Sequence, residues 1–236
     1  MLAIVGLAVA TTCSLALLTA CNDDDDDDDL TETVDDDDTN DDSSSDTDDS
    51  STTPGTAIDL GLSVKWSNIN IGATLPADYG NYYAWGEIVT KQSYTSDNSV
   101  TYEVSSIEDF SGDATYDAAT ANWGSSWRMT TYAECKELVD DCTWTKTYQE
   151  NSDGSYQCGY LVEGTNGNSI FLPAAGCRNG TVRTDVGELG VYWSSSPFPN
   201  EAFSNIAYCL EIIPSYRYYV NTRNRYSGYS VRPVTD

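Results

Sequence analysis

The sequence predicts an α+β domain, with antiparallel sheets and two helices in its N-terminal half, preceded by a disordered acidic tether. Three observations predict it. Residues 22–53 are almost wholly Asp, Ser, Thr and Asn and contain no base. Such a segment has too little apolar surface to offset its ordering entropy, and its charges repel. Thr131 and Glu134 form an S/T-x-x-E capping box, followed by an apolar stripe at Tyr132, Cys135, Leu138, Val139 and Cys142; this pattern predicts a helix. From Tyr156 the period becomes two: Tyr156, Cys158, Tyr160 and Val162 share one face, an Asn-Gly turn lies within 164–168, and Ser169–Leu172 returns as a hairpin arm.

The chain opens with an apolar run from Leu2 to Leu18. That is long enough for the core of a signal peptide and shorter than the roughly 20 residues of a membrane-spanning helix. The run ends in Leu18-Thr19-Ala20-Cys21, a leucine, two small residues and a cysteine, which resembles the lipobox of bacterial lipoproteins. The resemblance implies removal of residues 1–20, acylation of Cys21 and a mature chain outside the cytoplasm. Each buried methylene contributes about 0.8 kcal/mol, so several acyl chains on one residue hold a protein to a membrane almost permanently. The usual basic n-region is missing, since no Lys or Arg precedes Lys65. Residues 21–55 form the tether, which reaches ~100 Å if fully stretched. Its aspartates begin directly after Cys21. This acidic start resembles the export signal that carries some Bacteroidetes lipoproteins to the outer face of the outer membrane. Calcium is not expected on the tether, because no D-x-D-x-D-G spacing organises the carboxylates.

Residues 56–236 form the folded domain, long enough to bury about 70% of its unfolded surface. Val64, Trp66, Ile69 and Ile71 suggest a strand with an irregularity; Pro76, Asp78 and Gly80 mark a turn; Tyr82, Tyr83 and Trp85 suggest an aromatic strand. Residues 88–113 read as loop. A short helix is expected at Asp117–Asn122 ahead of the capped one, and further strands at Val191–Ser195, Ala207–Ile213 and Ser230–Val234. Trp66, Trp85, Trp127, Trp144 and Trp193 read as core.

Composition excludes several chemistries. The chain has no histidine, so Ser-His-Asp and Cys-His catalysis and His-ligated zinc are absent. Cys135, Cys142, Cys158, Cys177 and Cys209 show no C-x-x-C spacing, which argues against a zinc or thioredoxin-like site. They read as small buried hydrophobes; Cys135 and Cys142 lie about 10 Å apart along one helix, too far to bridge, and Cys177–Cys209 is the one pairing suggested, both lying in strand regions. With formal net charge −27, nucleic acid is not an expected partner. No cofactor, metal or catalytic residue is expected.

The blocks DLGLSVKWSN, YGNYYAWGE, ANWGSSWRMTT with AECKELVDDCTW, GNSIFLPAAGCRNG, YWSSS and YSGYSVRPV occur in that order between Ile58 and Val234. They are similar to the Fibrobacter succinogenes major paralogous domain, a family abundant in lipoproteins of Bacteroidetes. The resemblance implies a C-type lectin-like fold, related to the variable proteins of diversity-generating retroelements. Thr130 stands where that family usually has proline, and Cys177 and Cys209 stand where it has aromatic residues. The Glu-Pro-Asn or Gln-Pro-Asp pair and the Trp-Asn-Asp triplet of calcium-dependent sugar binding are absent.

Ligands of such domains generally meet the C-terminal half, and here the composition changes. From Ile212 to Thr235 there is no acid, while Arg217, Arg223, Arg225 and Arg232 alternate with tyrosines and asparagines. Tyrosine gives large amphipathic contacts at low entropy cost and arginine gives forked hydrogen bonds, which suit an anionic ligand. The expected ligand contacts are Tyr192, Trp193, Ser195, Asn200, Tyr216, Tyr218, Asn221, Arg223, Asn224, Arg225 and Tyr226, with Tyr219, Val231 and Val234 assigned to the core. The expected function is a surface lipoprotein that displays a calcium-independent adhesion domain for an extracellular glycan or protein. A structural element of a surface layer or appendage is the alternative. An enzyme of the formylglycine-generating branch would need paired reactive cysteines. A glycosidase would need a carboxylate pair, for which Glu87, Glu134 and Glu211 are unremarkable candidates.

Overall fold

The helix expected from the capping box forms in the computed structural model, which describes residues 53–236. The signal peptide, Cys21 and nearly all of the tether lie outside the described residues. The Thr131 hydroxyl accepts from the Glu134 amide at 3.3 Å, and the Glu134 carboxylate accepts from the Thr131 amide at 2.8 Å. Arg128 closes on the same carboxylate at 2.7 Å, so Thr130 in place of a proline does not prevent helix entry.

In chain order the elements are β1 (Ala57–Ile58), β2 (Lys65–Ser67), α1 (Ala118–Trp123), α2 (Tyr132–Asp141), β3 (Thr143–Glu150), β4 (Tyr156–Glu163), β5 (Ser169–Pro173), β6 (Cys177–Asn179), β7 (Val182–Thr184), β8 (Gly190–Pro197), β9 (Ile206–Ile213), β10 (Arg217–Asn224) and β11 (Val234–Thr235). The strands form antiparallel sheets in the orders β1-β2-β11, β3-β4-β5, β6-β7 and β8-β9-β10, read edge to edge. The described chain is therefore α+β, with mostly antiparallel sheets and two α-helices.

Two apolar clusters lie on opposite faces of the β8-β9-β10 sheet. Val191, Trp193, Ala207 and Cys209 face one, with Ile71, Trp85, Phe110, Met129 and Val231. Tyr192, Leu210 and Ile212 face the other, with Leu60, Trp66, Leu138, Val162, Leu172 and Val234. Successive side chains of a strand point to opposite faces, so each strand feeds both clusters in alternation.

The expected strand at Tyr82–Trp85 is instead an extended loop. Tyr83 exchanges amide hydrogen bonds with Tyr229 at 2.9 and 3.0 Å, and the Trp85 amide donates to Arg225. The expected strand at Ser230–Val234 is reduced to single bridges and the short β11. The sequence reading missed β3, an edge strand whose Thr, Lys and Gln side chains bury little, so it lacks an apolar alternation. It also missed β6-β7, although Asn179-Gly180 lies at its turn. Gly176 admits this hairpin: its φ is +73°, and a Cβ there would meet the Thr184 carbonyl at 2.1 Å.

Asp117 organises the first half of the domain. Its buried carboxylate accepts from the Ala119 and Thr120 amides at the start of α1, at 2.8 and 3.0 Å, and from Gly112 and Met129, each at 2.8 Å. Asp117→Ala would orphan several buried donors at once. It is expected to lower the unfolding free energy by about 2–4 kcal/mol, read as a shifted urea midpoint at unchanged slope.

Candidate functional site

The segments expected to meet a ligand divide between interior and surface. Tyr192, Trp193 and Ser195 lie on β8, which both clusters cover, and none exceeds 2% exposure. The Tyr192 hydroxyl donates to the Pro173 carbonyl at 2.5 Å, the Trp193 indole to Tyr83 at 2.9 Å, and the Ser195 hydroxyl to Asp109 at 2.7 Å. Arg225 is equally interior, at 2% exposure. Its guanidinium donates to the carbonyls of Val104, Thr101 and Ile206 at 2.8, 3.2 and 3.1 Å and lies 4.1 Å over the Trp85 ring. These four side chains hold the domain together and are withdrawn from the expected contact surface.

The other expected residues stay at least partly exposed but do not share one face. Tyr218 and Val220 turn toward the second cluster, and the Tyr218 ring stacks on Trp144 with centroids 4.3 Å apart. Tyr219, Asn221 and Arg223 occupy the opposite face of β10, the free edge of its sheet. Tyr216 lies in the β9-β10 turn and is 74% exposed. Arg217 lies 4.9 Å over the Tyr216 ring and 4.2 Å over that of Tyr219. Asn224 is exposed and donates to the half-buried Tyr226 hydroxyl at 3.5 Å, while Tyr226 meets Tyr102 edge-on at 5.3 Å. Asn200 is exposed and caps a short 3-10 turn through the Ala202 amide at 3.0 Å. Tyr219, assigned to the core by strand alternation, is half-buried instead, because β10 is an edge. Among the tryptophans assigned to the core, Trp144 is only half-buried, because β3 is an edge as well.

The β10 edge is organised by Glu211, an acid that looks unremarkable in the sequence. Glu211 is 1% exposed, in an otherwise apolar stretch of β9. Its carboxylate accepts from the Tyr219 hydroxyl at 2.5 Å, from the Asn221 amide at 3.0 Å, and from Arg223 at 2.8 and 2.5 Å. A signal for this was present: a single acid inside an apolar strand needs partners, and Tyr219, Asn221 and Arg223 follow with period two. Burial opposes the charge on Glu211, but the hydrogen bonds from Tyr219, Asn221 and Arg223 outweigh it and hold the carboxyl below its ordinary value.

All the cysteines of the described domain are free. Cys177 and Cys209 share one apolar cluster as thiols, which corrects the suggested pairing. Burial raises the Cys209 thiol well above its usual range and Cys135 to about 12, so neither is a nucleophile near neutrality. Among the described residues, no group of three or more His, Cys, Asp and Glu is placed to hold a metal. No described helix is long and apolar enough to cross a membrane. Comparison with family models, with curated proteins and with solved structures found no match.

Removing one partner of a buried ion pair costs about 3–5 kcal/mol, less where the other side chain reaches solvent, as Arg223 does at 36% exposure. Glu211→Gln is therefore expected to cost about 2 kcal/mol at pH 7. A depressed acid contributes stability above its unfolded value, and that contribution is lost as pH falls through the folded one. Wild type should show this loss below the ordinary value of 4.5. Thermal melts of Glu211→Gln should lack that component.

Proposed function

We propose that this chain is a lipid-anchored surface protein of the Fibrobacter succinogenes major paralogous type, displaying a C-type lectin-like recognition domain. The observation that carries the reading is the ordered edge of β10. Glu211 fixes Tyr219, Asn221 and Arg223 from below, and Tyr216 and Arg217 extend the same strand into solvent. Side chains ordered before contact lose less entropy on binding, and tyrosine with arginine is the composition of adaptable recognition surfaces. The Arg223 charge is neutralised by Glu211, whereas Arg217 has no carboxylate within ion-pair distance among the described residues. Arg217 is therefore the anion-preferring contact on this edge.

Display is supported by the lipobox at Cys21 and the aspartates that follow it. Acyl chains would hold one end in the outer membrane, and charge repulsion would keep the tether extended beyond it. A self-assembling surface layer is the second reading, because an unpaired strand edge is also a template for another chain. The opposed requirement is charge: a chain this acidic repels its own copies.

The test uses cells that display the full chain, challenged with arrayed glycans and matrix proteins. Tyr216→Ala with Arg217→Ala should reduce adhesion about tenfold, equivalent to about 1.4 kcal/mol, with an unchanged melting temperature. Cys21→Ser should move the protein from the membrane fraction to the medium. Adhesion indifferent to the β10 substitutions would remove the recognition reading, and membrane retention of Cys21→Ser would remove the anchor.

A further inference from the structure

Arg178 and Arg183 stand directly opposite one another on the β6-β7 hairpin. Like charges so placed weaken a strand pair. Among the described residues no carboxylate lies within ion-pair distance of either, in a chain whose formal charge is −27. Each rests on a tyrosine: Arg178 lies 5.4 Å over the Tyr82 ring and Arg183 lies 5.2 Å over that of Tyr79. The rings are themselves pinned, because the Tyr82 hydroxyl donates to the Ala175 carbonyl at 2.5 Å and the Tyr79 hydroxyl to Gln157. Two forked donors are thus held on fixed platforms, Arg183 also bonding the Tyr82 hydroxyl, and neither is paired with a carboxylate among the described residues.

The space beside them is a groove. A cleft of about 260 Å³ is lined by Asn81, Thr90, Gln92 and both arginines. It adjoins a second, of about 340 Å³, lined by Asn151 and Ser152; Gly80 and Arg183 line both. The nearby Lys91 is already committed to Glu87 at 2.8 Å. The Asp78 carboxylate at the far end is occupied by the Leu75, Ser152 and Thr74 amides at 2.8, 2.8 and 3.0 Å. Arg183 thus stands where the clefts meet and Arg178 beside it in the first, with amides and hydroxyls on either side and the charged Asp78 at the far end. A compact inorganic anion would use the arginines alone; two joined clefts lined by amides and hydroxyls suit consecutive sugar rings.

We propose that this groove binds an acidic oligosaccharide, its carboxylate or sulfate held by Arg178 and Arg183 and its neighbouring hydroxyls by the flanking amides. Planar guanidinium forks match both anions. The site lies apart from the β10 edge and stands without it.

The test is calorimetric titration of the full chain with trigalacturonate and a chondroitin sulfate tetrasaccharide. Neutral galactotriose, inorganic sulfate and tetraglutamate are the controls. At least one acidic saccharide should bind, and galactotriose should not. Arg178→Gln with Arg183→Gln should weaken that binding more than about tenfold while leaving the melting temperature unchanged or raised, since an opposed pair of like charges is removed. Arg217→Ala should leave the affinity unchanged. The proposal is overturned if neither acidic saccharide binds, if the double variant binds like wild type, or if it melts lower. It is also overturned if sulfate or tetraglutamate binds as tightly as the saccharide, or if Arg217→Ala abolishes binding.

Discussion

The central sheet is buried on both faces, and the rest of the domain is arranged around that constraint. β8 and β9 have an apolar cluster on each side, so a residue on either strand has an interior destination whichever way it points. Their polar side chains must find partners inside, as the Ser195 hydroxyl and Glu211 do. β10, at one edge, is the strand of this sheet on which no residue is fully buried. On the proposed reading, recognition by this sheet would therefore fall on its last strand and the turn before it.

The arginines show how the constraint partitions charge. Arg232 is fully enclosed and donates to Asn70, Ser67 and Phe171 at 2.8, 2.9 and 2.9 Å, which ties the C-terminal segment to the loop after β2 and to β5. Burial without a carboxylate lowers it to about 10, still protonated near neutrality. Arg225 serves a similar role against Trp85. Arg128 and Arg223 are neutralised by Glu134 and Glu211. Arg178, Arg183 and Arg217 are left on tyrosine rings, with no carboxylate within ion-pair distance among the described residues. In a strongly acidic chain these are the positions where an external anion meets least local competition.

Much of the fold was legible because local signals were strong. The capping box at Thr131 located α2, the Asn-Gly turn located the β4-β5 hairpin, and apolar runs located β8 and β9. Short or exposed elements were not: β3 has polar residues on an edge, and β11 is two residues long. The site was half legible. Composition singled out the Tyr/Arg segment, but composition carries no depth, and Arg225 and Arg217 look alike in sequence. Their difference comes from packing contributed by residues more than a hundred positions away, such as Thr101 and Trp85 on Arg225. The Arg178–Arg183 juxtaposition depends on the β6-β7 register, which the unused Asn179-Gly180 signal encodes.

The partition of arginines between interior and surface is the claim on which both proposed recognition surfaces rest. Its most direct measurement is modification of the native protein by an arginine-specific dicarbonyl, followed peptide by peptide by mass spectrometry. Arg183 and Arg217 should react at rates near those of the unfolded chain, while Arg225 and Arg232 should stay protected until denaturant unfolds the domain. Labelling of Arg225 or Arg232 in the native state as fast as Arg217 would contradict the account.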